Sequence, residues 1–272
     1  MESSTTGQDE SYYRILVGSM VKYVVVAAGA LERFAIMDMP LNFENILPPL
    51  PYQDSSWNVA HIYRATSTGE LKSSLSQQRL KGVCNKWHPV LIDFLELERV
   101  AQLGMLTQEC TWCPGSRQYQ ESSATMIAKM ARFVWEVPYI ERETKAYQIL
   151  EGIGIGPRFL GHVHEQGRII GILLEKVEGR NAGIEDLESC TAALKCLHAR
   201  GVVHGDCNRY NFVISPENTV FLVDFEGSSI STDEDAMKKE IATLEAQLRE
   251  ETGRGGPAVL IDGSDDELDL NT

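Results

Sequence analysis

Cysteine is scarce and scattered in this sequence: six residues, at 84, 110, 113, 190, 196 and 207, in a chain of 272. That is too sparse for a disulfide scaffold, so apolar packing has to supply the core. Cys110 and Cys113 form a single C-x-x-C with no second pair and no nearby histidine, which argues against zinc and for two thiols at a strand end. Positive charge is short as well: 25 Lys and Arg stand against 39 Asp and Glu, a formal charge of −14. So acidic a surface repels phosphate backbones and anionic lipid, which disfavours direct binding to nucleic acid or membrane, although a local basic pocket remains open. No long hydrophobic run is present. The most apolar stretch, residues 15–31, contains Lys22 and two glycines and is shorter than a membrane span. The opening MESSTTGQDES has neither a basic start nor an apolar run, so no signal peptide is expected there. A soluble intracellular protein, cytoplasmic or nuclear, is the expectation. Internal repeats are absent.

Enough apolar residues are present, 43% of the total, to make wholesale disorder an unsuitable description. Residues 1–11 are polar and expected to be disordered. YYRILVGSMVKYVVVA reads as two strands around Gly18-Ser19, a pair suited to a type II′ hairpin turn. AHIYRATSTGELKSS reads as a second hairpin turning at Thr68-Gly69, so 12–90 is expected to be a β-rich extension. Residues 90–103 read as one strand and 124–133 as another, with Ile127, Lys129, Ala131 and Phe133 on one face. Residues 139–152 read as a helix stopped by Gly152, its stripe formed by Ile140, Glu143, Tyr147 and Leu150. A lysine in an apolar row and a glutamate in an apolar stripe leave two alternatives: they satisfy each other, or both are solvated at element edges. Further on come an apolar strand within 167–179, a helix over 184–201 with Leu187, Cys190, Leu194 and Leu197 on one stripe, and strands near 212–215 and 219–225. Last is an amphipathic helix with Met237, Ile241, Leu244 and Leu248 as its stripe, capped by Thr232 or Asp233. The tail 253–272, with DGSDDELDL, reads as acidic and disordered.

Between two apolar runs, VVHGDCNRYNFVIS crowds His204, Asp206, Asn208, Arg209 and Asn211 into one loop. Asp and Asn are ordinary turn residues, and either alone would need no other account. Here, however, His204-x-Asp206-x4-Asn211 is followed past a short hairpin by Asp224-Phe225-Glu226. It is preceded by a strand lysine, a helix glutamate and an apolar strand breaking at 175–178. Dense oxygen donors held between rigid strands suit a polyanion with its bound cations.

This order resembles the protein-kinase-like superfamily, whose loop is H-x-D-x4-N followed by a D-F-G or D-x-[DE] metal site. His-Gly-Asp is similar to the aminoglycoside phosphotransferase and choline kinase branch and to small atypical kinases. HGDCNRYNFVI, GIGPRFLGHV, WEVPYIERETKAYQIL and YYRILVGSMVKYV together resemble a family of short fungal kinase-like proteins over about residues 12–252. The resemblance implies an α+β, compact two-lobed kinase-like fold. It divides the chain into a disordered 1–11, the β-rich extension 12–90, an N-lobe and hinge over 91–178, a truncated C-lobe over 179–252 and the tail 253–272. It implies ATP and Mg²⁺ as cofactors. Lys129, paired with Glu143, would hold the α- and β-phosphates, and Asp206 would orient or deprotonate an acceptor hydroxyl. Asn211 and Asp224 would bind the metal. His204 would be structural, beside Phe225. Leu174 would border the adenine, the backbone of Glu175 and Val177 would bond its edge, and Gly104 would tip the phosphate-covering turn. Departures are clear. There is no G-x-G-x-x-G, since 96–123 holds only Gly104 and Gly115. Glu226 replaces the glycine of D-F-G, and Asn208 stands where protein kinases carry lysine. With 48 residues after Asp224 and no A-P-E motif, the acceptor site is expected to be small, or completed by the N-terminal section or by a protein partner. The implied activity is transfer of the γ-phosphoryl of ATP to a hydroxyl of a small molecule or a protein. The rival is a pseudokinase or regulatory scaffold.

Overall fold

The computed structural model of the chain describes residues 2–4, 10–32, 45–113, 124–254 and 256. A five-stranded sheet comes first: β1 (Glu2–Ser4), β2 (Ser11–Val17), β3 (Met20–Val26), β4 (Val59–Arg64) and β5 (Leu71–Ser76), adjacent in that order. The β3–β4 pair is parallel and the others are antiparallel. The β2–β3 turn has Gly18 at φ +62°, as a type II′ turn needs at its first central position. The β4–β5 turn has Gly69 at φ +70°. The near-continuous apolar run of β3 has a physical reason, because both faces of this sheet are covered. Val24 and Val26 pack with Tyr13, Ile15, Ala60, Ile62 and Trp57 on one face, while Val21, Tyr23 and Val25 meet Val59 and Phe133 on the other. Lys22 is buried within the first layer. Its Nζ donates to the carbonyls of Asp54 and Trp57 at 2.6 and 2.5 Å and lies 4.4 Å from the Trp57 ring centre. One expectation is corrected here. Residues 2–4 form an edge strand on β2 and Ser11 already lies within β2, so the region 1–11 is not uniformly disordered.

The second sheet has six strands: β6 (Leu91–Asp93), β7 (Leu97–Gln102), β8 (Thr107–Trp112), β9 (Met126–Met130), β10 (Phe159–Glu165) and β11 (Arg168–Glu175). Their spatial order is β6-β10-β11-β9-β8-β7, with β6 parallel to β10 and every other pair antiparallel. The single strand expected over 90–103 is therefore two strands at opposite edges of one sheet. A 3-10 turn at Phe94–Glu96, whose Leu95 amide donates to the Asp93 side chain, separates them. The edges of a flat six-stranded sheet lie about 24 Å apart, and four residues reach at most about 14 Å. The sheet must therefore roll until β6 and β7 come near one another. Strand β9 ends at Met130, short of Phe133, because Arg132 and Phe133 donate their amides to the Glu136 carboxylate at 2.6 and 3.0 Å. Phe133 leaves the Lys129 face and enters the core of the first sheet.

Helix α1 (Val137–Leu150) starts two residues earlier than its apolar spacing indicates, with Pro138 in its first turn, and Gly152 at φ +73° follows it. Ile140, Glu143, Tyr147 and Leu150 are all buried, as the stripe requires. Then follow β12 (Arg180–Asn181), α2 (Leu187–His198), β13 (Val202–Val203), β14 (Phe212–Ile214), β15 (Val220–Leu222), β16 (Ser229–Ile230) and α3 (Glu234–Leu248). Asp233 is the α3 cap, accepting from Asp235 and Ala236. One core joins α1, α2, α3, β14 and β15 to the underside of the second sheet through Tyr147, Leu194, Leu197, Phe212, Leu222, Leu244 and Ile172. The architecture is mixed α+β. No described helix is long and apolar enough to cross a membrane. The acidic stretch of the tail lies outside the described residues.

Candidate active site

A cleft of about 750 Å³ opens between the second sheet, α1 and the loops after β13 and β15. Lys129 reaches it from the middle of the sheet, where β9 lies between β11 and β8 with Ile172 and Thr107 as its register partners. This close packing depends on Gly171, because a Cβ there would lie 2.4 Å from the Lys129 carbonyl. Lys129 Nζ is 3.0 Å from Glu143 and 2.5 Å from Asp224 Oδ1. Glu143 is fully buried and the lysine nearly so, which excludes the alternative of two solvated groups at element edges. Burial by itself lowers a lysine's pKa, but the charges of Glu143 and Asp224 more than reverse that, so Lys129 is held well above its ordinary range. Burial pushes the Glu143 carboxyl up to about 7, with Lys129 working against the rise and Asp224 adding to it.

The polar loop is built on a buried histidine. His204 Nε2 donates to the Val223 carbonyl at 3.1 Å, Nδ1 accepts the Asp206 amide at 3.4 Å, and the ring lies 5.1 Å from that of Phe225. These contacts fix the Nε2–H tautomer, and burial lowers the pKa and keeps the ring neutral. Gly205 (φ +86°) is obligatory, because a Cβ there would sit 2.3 Å from the Gly227 carbonyl. Asn208 donates to Asp206 Oδ2 at 2.9 Å while its own Oδ1 accepts the Tyr210 amide. Asn211 donates to the Asp206 carbonyl at 2.9 Å and to Oδ2 at 3.3 Å. Strands β14 and β15 pair Phe212 with Leu222, and the next bond out, Val223 amide to Asn211 carbonyl at 3.0 Å, holds Asn211 beside Asp224. Asp224 has a left-handed backbone (φ +65°, ψ +65°), an uncommon state for a residue with a Cβ and one that gathers at functional sites.

Lys129, Glu143, Asn211, Asp224, Leu174, Glu175, Val177 and Gly104 all line the cleft. Asp206 is not among the lining residues; it is bonded to Asn211, which is. Gly104 is in the β7–β8 turn, where its amide and that of Leu103 both donate to the Thr107 carbonyl at 3.0 Å. The Glu175 amide is committed to the Arg158 carbonyl at 2.9 Å, so what Glu175 can offer a base edge is its carbonyl oxygen. Ile127, Leu106, Val213 and Val223 add apolar lining around Leu174. Sequence spacing missed Val213 and Val223, because nothing local tells which side chain of a short strand faces a cleft. Asn208, read from sequence only as a substitute for lysine, holds the Asp206 carboxylate. Glu240 of α3 was also missed. It accepts the Gly205 and His204 amides at 2.6 and 3.2 Å and contacts His198 Nε2 at 2.7 Å, clamping the loop from a distant helix. Arg209 points away, donating to the Glu250 carbonyl.

Charge around Lys129 is unbalanced: its ammonium meets both Glu143 and Asp224, and Glu226 lies near it with Arg142 as the other cation. Burial and the Asp224 charge raise the Glu226 pKa. Added positive charge would be welcome here. Among the described residues no group of three or more His, Cys, Asp or Glu is placed to hold a metal alone. The Asp224 carboxylate and the Asn211 amide oxygen fit Mg²⁺, which takes one or two protein oxygens and completes its shell from phosphates and water. The buried thiol of Cys207 is pushed well up by burial and by Glu240, which leaves it inert at neutral pH. Compared with known protein families and with characterised proteins, the sequence matches none.

Proposed function

We propose that this chain is a Mg²⁺- and ATP-dependent phosphotransferase with a two-lobed protein-kinase-like architecture, acting on a hydroxyl of a small molecule or protein. One observation carries the reading: Lys129 is buried between Glu143 and Asp224, with Asp206 and Asn211 bonded to each other next to that pair. A buried amine held by a helix acid and aimed at a strained loop acid is costly, and core packing gains nothing from it. The apolar lining suits a purine face, and the Glu175 carbonyl with the Val177 amide suits its edge. Asn211 and Asp224 would hold Mg²⁺, which would supply positive charge to offset that of the phosphates. Lys129 would turn from Asp224 toward the phosphates while Glu143 keeps it positioned. Asp206 would accept the proton of the acceptor hydroxyl as that oxygen bonds to the γ-phosphorus. The bond from that phosphorus to the bridging oxygen then breaks, its electron pair leaving with ADP. Asn208 holds the Asp206 carboxylate in place.

The scaffold alternative draws on the lid, a turn with the single glycine Gly104 between Leu103 and exposed Met105, which approaches phosphates less closely than a glycine-rich loop. Thermal unfolding with nucleotide tests the first reading. ATP with Mg²⁺ at a hundred times its dissociation constant should stabilise by about 2.7 kcal/mol, a Tm rise of roughly 5–10 °C for a domain this size. ATP with EDTA should give no rise, and neither should Asp224→Ala with Mg²⁺. A Tm that ignores Mg²⁺-ATP at millimolar nucleotide would overturn nucleotide binding. ATP turnover equal in wild type and Asp206→Ala would leave the scaffold.

A further inference from the structure

On the far side of the second sheet lies a groove of about 890 Å³, walled by β3, the segment after β5 and the β10–β11 turn. Its charge is opposite to that of the molecule. Arg79, Lys81, Lys86 and Arg168 line it, and its one carboxylate, Glu165, is already engaged by Arg14, Tyr23 and Arg168. Arg79, Lys81 and Lys86 are exposed, and none of them forms an ion pair with another described residue. Unanswered cations gathered along one groove repel one another, so folding alone gives no reason to collect them there.

The segment presenting them is held firmly although it is neither helix nor strand. Asn58 bonds both the amide and the carbonyl of Gln78, at 2.7 and 2.8 Å. Arg168 donates to the Lys81 carbonyl at 3.0 Å, and the Val83 amide donates to the Ile169 carbonyl at 2.9 Å. Gly82 lets the segment lie this close to β11, because a Cβ there would sit 2.6 Å from the Ile169 carbonyl. Past the groove, the Cys84 amide donates to Glu141 of α1 at 2.6 Å, and the Trp87 indole N–H donates to the Thr144 carbonyl at 3.1 Å. Glu141 is itself paired with Lys145, so its charge does not answer the groove. Leu80 packs against the core shared with Phe133, which leaves its neighbours Arg79 and Lys81 exposed. A backbone fixed in advance costs little more to order on binding.

We propose that this groove docks an acidic stretch of a partner protein, held extended and with carboxylates at alternate positions. Charge complementarity names the occupant. Arg79 and Lys81 are two residues apart, at most about 7 Å, and alternate side chains on one face of an extended peptide are spaced about 6.6–6.8 Å. Lys86 lies up to about 18 Å further along, within the span of a short extended peptide. A single phosphate lacks that length, since it pairs only with cations within about 4 Å. A long nucleic acid or an anionic bilayer would meet the net charge of −14 over the rest of the surface. A short acidic peptide responds to the local cations, because exposed charges beyond about 8 Å are largely screened at physiological salt.

Fluorescence anisotropy on the full chain tests the docking, with a labelled peptide of about ten residues, alternating Glu and Thr, as the probe. It should bind saturably at low salt and at least about tenfold more weakly near 1 M salt, where the Debye length is about 3 Å. Arg79→Glu/Lys81→Glu/Lys86→Glu should weaken binding by about tenfold or more. The milder Arg79→Gln/Lys81→Gln/Lys86→Gln should weaken it several-fold, which keeps the test open if charge reversal unfolds the chain. Lys72→Glu/Lys238→Glu/Lys239→Glu, exposed residues away from the groove, changes the net charge by the same amount as the first variant and should leave binding within about twofold. Equal weakening by the groove and control variants would overturn the proposal. So would full competition by inorganic phosphate at low millimolar concentration, which would make the groove a single-anion site. Equal binding of an oligothymidylate of the same length would give it to nucleic acid instead. Dimerisation of wild type at low salt that the groove variants abolish would give it to a second copy of this chain.

Discussion

Lys129 brings one positive charge into a space shared by Glu143, Asp224, Asp206 and Glu226, and the most buried of these acids bears the consequence. An unfolded glutamate releases its proton near 4.5, whereas Glu143, desolvated in α1, keeps its proton up to about 7. Between those values the folded state binds more protons than the unfolded state. Stability from this group is therefore complete below about pH 4.5 and is lost as pH rises toward 7. Urea midpoints should show it: wild type loses stability relative to Glu143→Gln across that window. A wild-type-minus-variant difference flat with pH would refute the assignment. His162 and His204 act in the opposite sense, because burial lowers both their pKa values, that of His162 to about 4. Their neutral rings favour the folded state above about pH 6.5, and this advantage is lost on acidification. Referring each measurement to the Glu143→Gln variant cancels the histidine slope.

At the level of elements, the two sheets are joined through one carboxylate. Glu165, at the end of β10, accepts Arg14 Nε and Nη2 at 2.9 and 2.6 Å, the Tyr23 hydroxyl at 3.0 Å and Arg168 Nη2 at 2.7 Å. Arg14 and Tyr23 come from β2 and β3, so the contact bonds the N-terminal sheet to the sheet that carries Lys129. Glu165→Ala leaves two guanidinium groups facing each other without the acid between them. Breaking a buried pair in this way costs about 3–5 kcal/mol, a Tm fall of roughly 10 °C at this size. A loss under about 1 kcal/mol would mean that the aromatic contacts hold the sheets together without it. Those contacts are substantial: Tyr12 meets Trp135 edge-on at 4.6 Å, and Trp135 stacks on Phe133 at 4.9 Å. Trp135 also lines the cleft, so the N-terminal sheet supports one wall of the site.

For the molecule as a whole, a charge of −14 means self-repulsion in the compact state. Exposed pairs such as Lys238–Glu234 offset little of it. Raising salt to about 0.1 M shortens the Debye length to about 10 Å. The Tm should rise, by about 2–4 °C for each kcal/mol of repulsion removed. A Tm that falls with added salt would show that surface pairs outweigh the net charge. The groove lined by Arg79, Lys81 and Lys86 is the local exception in sign.

The hairpins at Gly18 and Gly69, the helix stripe of Glu143 and the close spacing of Asp206 and Asn211 were legible in the sequence, whereas the meeting of Lys129 with Asp224, 95 residues on, was decided by the tertiary structure. Turn chemistry, helical periodicity and loop spacing are encoded by neighbours a few residues apart. The sequence by itself also determined the acidic surface and the need for an apolar core. Only the tertiary structure decided that 90–103 breaks across two edges of a rolled sheet, since that depends on which strands sit between β6 and β7. It alone placed Phe133 under the first sheet and turned Val213 and Val223 toward the cleft. It also set Glu240, 36 residues beyond His204, beneath the loop. These follow from contacts between distant segments, which packing selects and no local spacing records.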